Sequence, residues 1–322
     1  MMAIVVSELG GPEQLHLDEV PSPRPGPDEV LVEVAAAGVN FLDVYHRTGL
    51  YQLDLPFVPG VEGAGTIVEI GEDVGTLEEG DRVAWSNVLG AYAELQSVPA
   101  EKAVPIPDGV DNATAAAVLL QGLTAHYLAT DTYRLAPGDR CLIHAGAGGV
   151  GLLLTQIAKM RGAEVFTTVS TDAKAALSRE AGADHVIVYT RDDYQKAVED
   201  VAGPNALNVV YDGVGAATFM KGLDLLRPRG LMVSFGNASG PVPEISPLLL
   251  SGKGSLFLTR PTMAHYLQTR EELLSRCTDL FGWIGEGALR VHVGARFDLA
   301  DAGEAHRALE GRETTGKVLL LP

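Results

Sequence analysis

Cysteine is almost absent: Cys141 and Cys277 are the only two among 322 residues, too few for a disulfide framework or a four-thiolate metal site. Basic residues are outnumbered, 24 Lys and Arg against 42 Asp and Glu, which leaves a formal charge of −18. A surface of that sign repels phosphate backbones and anionic lipid, so neither nucleic acid nor a membrane surface is an expected partner. An anionic ligand would need local donors: glycine amides, a helix N-terminus, a lysine or two. No run approaches the roughly 18 apolar residues of a membrane span. The opening segment Met1–Gly11 has no basic flank before its short apolar stretch, unlike a secretory signal. None of the eight histidines forms H-x-x-x-H spacing. His144 reads as a satisfied strand residue, and His46 is kept only as a minor candidate for a binding cleft. The expectation is a cytoplasmic, metal-free globular protein.

What is present divides into two textures. Hydrophobic residues make up 46% and charged ones 20%, and the length accommodates two domains with a core each. Up to about Gly122 the sequence shows short β-type runs broken by Pro and Gly, which predicts a compact, mostly β domain. From about Leu123 strands and helices alternate. CLIHA (Cys141–Ala145) predicts a buried strand, Val150–Gly162 a helix stopped by glycine, and Glu164–Val169 the next strand. A helix over Asp172–Gly182, three further strands ending at Gly236, and a sixth at Ser255–Arg260 follow. Such alternation requires crossovers, and hence a parallel sheet covered on both faces. Beyond it, a helix at about Tyr266–Glu286, a strand near Arg290–Phe297, a helix at Asp301–Leu309 and a final KVLLL strand are expected to pack back on the first domain. There is no internal repeat and no low-complexity tract.

The chemistry-bearing motif is AGAGGVG (Ala145–Gly151), which follows the CLIHA strand and opens a helix. Gly146, Gly148 and Gly151 satisfy G-x-G-x-x-G, with Gly149 and Val150 between them. The first glycine permits the turn, the second lets backbone approach a pyrophosphate, and the third lets helix and strand pack closely. Among 37 glycines such spacing arises by chance, and the bland alternative is a tight turn without ligand. The strand–loop–helix context favours dinucleotide binding. An NAD-specific fold places Asp or Glu about 20 residues further on, at the ribose hydroxyls. Here the strand ends in Val169 and continues Ser170, Thr171, Asp172, with Lys174 beyond. Hydroxyls and a lysine accept a 2′-phosphate, so NADPH is expected. Asp172 is the awkward residue, since a shifted register would make it the ribose acid, and Lys174 read alone is an ordinary solvated helix residue.

Gly10–Tyr51, the P-G-V-E-G-A-G turn, Gln121–Tyr127, Gly138–Lys159, Arg229–Gly240 and Gly254–Pro261 together give the chain a near full-length pattern. It resembles the zeta-crystallin-type quinone oxidoreductases of the medium-chain dehydrogenase/reductase superfamily. That resemblance implies a GroES-like catalytic domain formed by residues 1–123 and 262–322. It also implies a Rossmann-type, doubly wound α/β domain at 124–261, with NADPH in a cleft between the two. It places Asn40, Tyr45 and Tyr51 at the nicotinamide end. Gln121 and Thr124 would lie where the chain crosses, and Lys174 and Tyr189 near the adenosine phosphate. Phe235, Gly236, Asn237, Phe257, Leu258 and Arg260 would hold the nicotinamide, with Lys317 approaching the cleft. It points to a homodimer, for which the Ser255–Arg260 strand is the expected edge.

Zinc alcohol dehydrogenases of the same superfamily need a Cys after A-A-G-V and a His before the Glu of the next turn. Asn40 and Val61 stand there instead. Without a metal to polarise an alcohol, the expected acceptor is already electron-poor, namely a quinone, against which the protein positions the nicotinamide. Tyr45 and Tyr51 suit a pocket wall, with ordinary loop packing as the competing reading, and Asn40 is equally at home as a turn cap. Two alternatives remain open: an NADPH-dependent enone or alkenal double-bond reductase, and a non-catalytic NADPH-binding sensor or structural protein.

Overall fold

β-Branched runs separated by Gly and Pro build the first part of the chain, and the computed structural model describes all of residues 1–322. Met2–Val5 (β1) and His16–Glu19 (β2) pair antiparallel. Glu29–Val39 (β3) is the longest strand, buried along most of its length with only Glu33 and Ala35 exposed. Phe41–Arg47 (α1), Glu62–Ile70 (β4), Arg82–Ser86 (β5), Leu95–Pro99 (β6) and Val104–Pro105 (β7) follow. Asn112–Tyr127 forms a 16-residue helix, α2. The mostly β texture read before Gly122 does not predict this helix. This segment is buried on nearly all sides from Ala115 to Ala129, so its apolar residues run continuously and carry no helical period.

The regular alternation comes next: Arg140–Ile143 (β8), Gly149–Met160 (α3), Glu164–Val169 (β9), Asp172–Glu180 (α4), His185–Val188 (β10), Tyr194–Ala202 (α5), Leu207–Asp212 (β11), Phe219–Leu225 (α6), Leu226–Ser234 (β12), Pro247–Gly252 (α7) and Phe257–Thr259 (β13). These six strands form one sheet in the order β10-β9-β8-β11-β12-β13, parallel throughout. It is the 3-2-1-4-5-6 order of a doubly wound Rossmann-type fold, whose order reverses between β8 and β11. Phe166, Val210, Leu223, Leu226 and Met232 are among the fully buried side chains of its core. The sixth strand is shorter than the Ser255–Arg260 span, because only Phe257–Thr259 pairs with β12.

The chain closes with Arg270–Gly285 (α8), Val293–Asp298 (β14), Ala302–Glu310 (α9) and Lys317–Leu321 (β15). The start of α8 lies later than expected because Thr269 and Glu272 form a capping box there, reciprocal bonds that fix a helix N-terminus. β15 pairs antiparallel with β3 and parallel with β14, within a sheet ordered β14-β15-β3-β4-β5-β7 in which β6 also pairs β3. Two compact units result: Met1–Leu123 with Leu267–Pro322, and Thr124–Tyr266. Each has its own core, the first around Trp85, Tyr92, Ile4 and Ile67, all essentially without exposure. No helix is long and apolar enough to cross a membrane.

Candidate active site

The glycine turn lies at the carboxyl end of β8, beside the point where the strand order reverses and ligands bind in open α/β sheets. Ala145 adopts a left-handed φ of 53°, and Gly148 N donates to Ala145 O at 2.9 Å. A Cβ on Gly151 would overlap Ala145 O, and one on Gly146 would meet Thr167 Cβ at 2.5 Å. Gly151 is therefore required by close approach of backbone, and Gly146 by the Thr167 side chain packed against it. A Cβ on Gly148 meets only Ala145 O, at 3.2 Å, so that residue's bareness serves the open side. Gly148 is also the N-cap of α3 and no side chain caps it. The first helical amides, Gly149, Val150 and Gly151, thus keep their donors for an anion.

At the neighbouring strand ends, residues 169–174 and 188–191 run side by side. Tyr189 N donates to Val169 O at 3.0 Å, and Thr190 Oγ1 donates to Ser170 O at 2.8 Å. As N-cap of α4, Thr171 Oγ1 accepts from Lys174 N at 3.2 Å, which leaves its hydroxyl proton to donate. Asp172 is committed as well, since Arg191 donates to its two oxygens at 3.0 and 3.2 Å. Tyr189 and Arg191 are exposed and Lys174 is half-buried.

At the ends of β12 and β13, Phe235 N donates to Asp212 O at 2.8 Å. A Cβ on Gly236 would overlap Gly213 O, so this glycine is again set by backbone contact. Arg260 donates to Ser234 O at 2.8 Å. With its amide turned so that the oxygen faces the guanidinium, Asn237 accepts from Arg260 Nη2 at 3.2 Å. Phe235, Gly236, Asn237 and Arg260 are thus brought together. Phe257 and Leu258 are exposed, Phe257 at 60%.

In the first unit Asn40 is the hub. It is 5% exposed, its Nδ2 donates to Gly38 O at 3.0 Å and Glu62 Oε2 at 3.1 Å, and its Oδ1 accepts from Lys317 Nζ at 2.8 Å. Gln121 Nε2 approaches the same oxygen at 3.5 Å. Lys317 and Glu62, 1% and 0% exposed, form a close ion pair, and Glu62 Oε1 accepts from Leu120 N at 2.6 Å. Gly38 leaves room for this cluster, since a Cβ there would meet Glu62 Oε2 at 2.5 Å. Tyr45 and Tyr51 meet edge to face, with ring centroids 5.3 Å apart. Tyr45 is 9% and Tyr51 38% exposed. His46 sits beside Tyr51 with Nδ1 buried and unpartnered, and burial lowers its pKa. Thr124 is buried in the second unit, four residues beyond Leu120.

Comparison with known proteins places this geometry. The alcohol dehydrogenase GroES-like domain matches residues 26–108, and the zinc-binding dehydrogenase family matches residues 149–276. A quinone oxidoreductase of Pseudomonas aeruginosa is 46% identical over 99% of both chains. The chain belongs to the quinone oxidoreductase family. The solved structure of Escherichia coli quinone oxidoreductase complexed with NADPH superimposes with a TM-score of 0.98 at 41% identity, covering all of both chains. A 2-haloacrylate reductase of a Burkholderia species is 39% identical over 100% of this chain and 99% of its own.

In this member of the family, the polar centre of the first unit holds an ammonium against a carboxylate. No three His, Cys, Asp or Glu side chains gather as ligands. Both cysteines are buried; burial raises the Cys141 thiol pKa and pushes that of Cys277 up to about 12. Sequence reasoning left Glu62 as part of a turn motif and missed Arg191 altogether. The available signals were an acid and a lone lysine interrupting apolar strands, and a basic residue just past the third strand of the alternation.

Lys317 is expected to matter first for stability. Lys317→Met strands the buried Glu62 carboxylate and should cost about 3–5 kcal/mol in urea unfolding. Adding Glu62→Gln should recover most of that loss. A single variant within 1 kcal/mol of wild type, on the scale expected of an exposed pair, would show that the pair is not a buried one.

Proposed function

We propose that this chain is a cytoplasmic NADPH-dependent oxidoreductase that reduces quinones by hydride transfer, without zinc. The observation that carries the reading is the uncapped glycine turn opening α3 at the reversal of the Rossmann sheet, together with the near-superposition on a relative complexed with NADPH. In this reading residues 124–261 bind the cofactor, while residues 1–123 and 262–322 form the catalytic domain.

The amides of Gly149, Val150 and Gly151 hold the pyrophosphate, with Gly146 closing the turn and Gly148 letting the backbone approach. Ser170, Lys174, Tyr189 and Arg191 take the 2′-phosphate. Thr171, which caps α4 by accepting from Lys174 N, has its hydroxyl proton left to donate to the same phosphate, and Asp172 is neutralised by Arg191, which removes the objection to a phosphate there. Phe235, Gly236, Asn237, Phe257, Leu258 and Arg260 hold the nicotinamide end, with Gln121 and Thr124 where the chain passes from one unit to the other. Bound there, NADPH supplies the hydride.

A quinone is electron-poor already, and the anion formed on it is delocalised, so water completes protonation without a placed general acid. The chain's task is to fix a flat acceptor and keep solvent out. Tyr51 offers a phenol to an acceptor carbonyl, and Tyr45 backs it edge-on. Asn40 has its amide committed on both sides, so it acts by holding the loop from which α1 starts. Lys317 acts through Asn40. The ion pair of Lys317 with Glu62 occupies this polar centre, and it supports the zinc-free reading. A second reading, reduction of an activated carbon–carbon double bond, is favoured by the 39% identity to a 2-haloacrylate reductase. A panel of quinones against enones and 2-haloacrylate, followed by NADPH absorbance, separates the two by which class turns over faster.

Gly148→Val should abolish the calorimetric signal of NADPH binding; saturable binding at wild-type affinity would remove the turn from the cofactor site. Lys174→Ala and Arg191→Ala should each raise KM for NADPH about tenfold, the size of one lost charge-assisted hydrogen bond, while leaving KM for NADH alone. An equal rise for both cofactors would place the 2′-phosphate elsewhere. For quaternary structure, a homodimer joined through the Ser255–Arg260 edge is proposed from the exposed Phe257 and Leu258. Sedimentation should show a dimer that Phe257→Lys converts to monomer, whereas a monomeric wild type at micromolar concentration would end the idea.

A further inference from the structure

The first unit contains a buried polar chain that the proposed function leaves unused. Asn40 N donates to Asp43 Oδ2 at 2.8 Å, and Tyr92 OH donates to the same oxygen at 2.9 Å. Tyr92 OH also lies 3.1 Å from His306 Nε2. His306 Nδ1 lies 3.1 Å from Arg47 Nη1, and Arg47 closes the chain on Glu310. The residues come from α1, the segment between β5 and β6, and α9. Asp43 and His306 are fully buried, and Arg47 is 1% exposed.

The direction of every bond follows from the donors. A guanidinium only donates, so His306 Nδ1 accepts and the imidazole is neutral, with its proton on Nε2. That proton goes to the Tyr92 oxygen, and the single Tyr92 proton goes to Asp43. Burial, and the Arg47 charge after it, push the His306 pKa down to about 3, in keeping with a neutral ring. Asp43 Oδ2 therefore receives two donors. Asp43 Oδ1 is buried with no partner, so it is the one place in the chain where a proton adds without breaking a bond. The other charges facing Asp43 are matched: Arg47 with Glu310, and Lys317 with Glu62. Only the Asp43 carboxylate lacks a counter-ion of its own.

We propose that Asp43 is a titratable positioning residue of the acceptor side, protonating at Oδ1 and thereby weakening its hold on Asn40 and on the start of α1. The helix so held carries Tyr45, and Tyr51 N donates to Tyr45 O at 3.1 Å. The ionised carboxylate makes charge-assisted bonds, roughly twice as strong as those of the protonated form. The acceptor wall is therefore fixed at higher pH and loosened at lower pH. Burial first of all pushes the Asp43 pKa up to about 7, against the lowering by Asn40, Tyr92 and Lys317, which puts the transition near neutrality. This inference rests on the proposed placing of Tyr45 and Tyr51 beside the acceptor.

The sign for stability is set independently of catalysis. A carboxyl whose pKa is raised in the folded state takes up a proton that the unfolded chain gives up, so the stability it contributes is lost as pH rises from about 4 towards about 7. The full-length protein is compared with Asp43→Asn, which mimics the protonated form, and Tyr92→Phe, which deletes one donor to Oδ2. The kcat/KM for a quinone at saturating NADPH should rise about fivefold with pH through neutrality in the wild type. It should stay flat at the lower level in Asp43→Asn, and its inflection should move to higher pH in Tyr92→Phe. Thermal melts should show Asp43→Asn close to wild type at pH 4 and progressively more stable than it as pH rises towards 8. An inflection unchanged in Asp43→Asn, or in Tyr92→Phe should the first variant fail to fold, overturns the proposal. So does a melting difference without any kinetic inflection, since Asp43 would then titrate without positioning the acceptor side. If no quinone is turned over at all, the functional reading has failed, and the melts alone decide whether Asp43 titrates.

Discussion

The second unit is organised around a contact with no room for a side chain, where Gly151 packs against the Ala145 carbonyl. Because helix and strand touch backbone to backbone, the N-terminus of α3 is held at the carboxyl end of β8. Its first amides are left without a side-chain cap. A residue with a Cβ at Gly151 would lift the helix away, and with it the amides proposed to hold the pyrophosphate. One steric constraint thus fixes the fold element on which the proposed binding depends.

The first unit depends on electrostatics where the second depends on sterics. Glu62 on β4 and Lys317 on β15 reach one another over Gly38 of the intervening β3, in a region from which water is excluded. Such a pair persists only when its remaining donors and acceptors are also satisfied. Asn40 and Leu120 satisfy them, and Gly38 makes the space. Asn40 consequently belongs to two networks, the ion pair through its side chain and the Asp43 chain through its backbone. The start of α1, and the tyrosines that follow it, inherit their placement from that junction.

The alternating half of the fold was legible because its signals are local. A strand, a glycine turn and an amphipathic helix announce themselves within about twenty residues, and the crossovers imply a parallel sheet covered on both faces, though not the order of its strands. Helix α2 was not legible, since a segment buried on all sides has no polar face to mark the period. The site divides in the same way. Gly146, Gly148 and Gly151 are read from spacing set between a strand and a helix. The Asp43–Tyr92–His306–Arg47 chain joins residues 49, 214 and 259 positions apart, and no spacing rule reaches that far. Asp172 shows the intermediate case: its position was seen, and its partner Arg191, 19 residues on, decided what it does.

The roles proposed for these residues all depend on one proposal, a nicotinamide carrier held by backbone amides and working without a metal. Its most direct test is a single-turnover mixing of chelator-dialysed protein, NADPH and a para-quinone, with NADPH absorbance followed in time. The expected result is stoichiometric loss of NADPH at a rate that neither chelator nor added zinc alters. Failure to consume NADPH, or consumption only after zinc is restored, would contradict it.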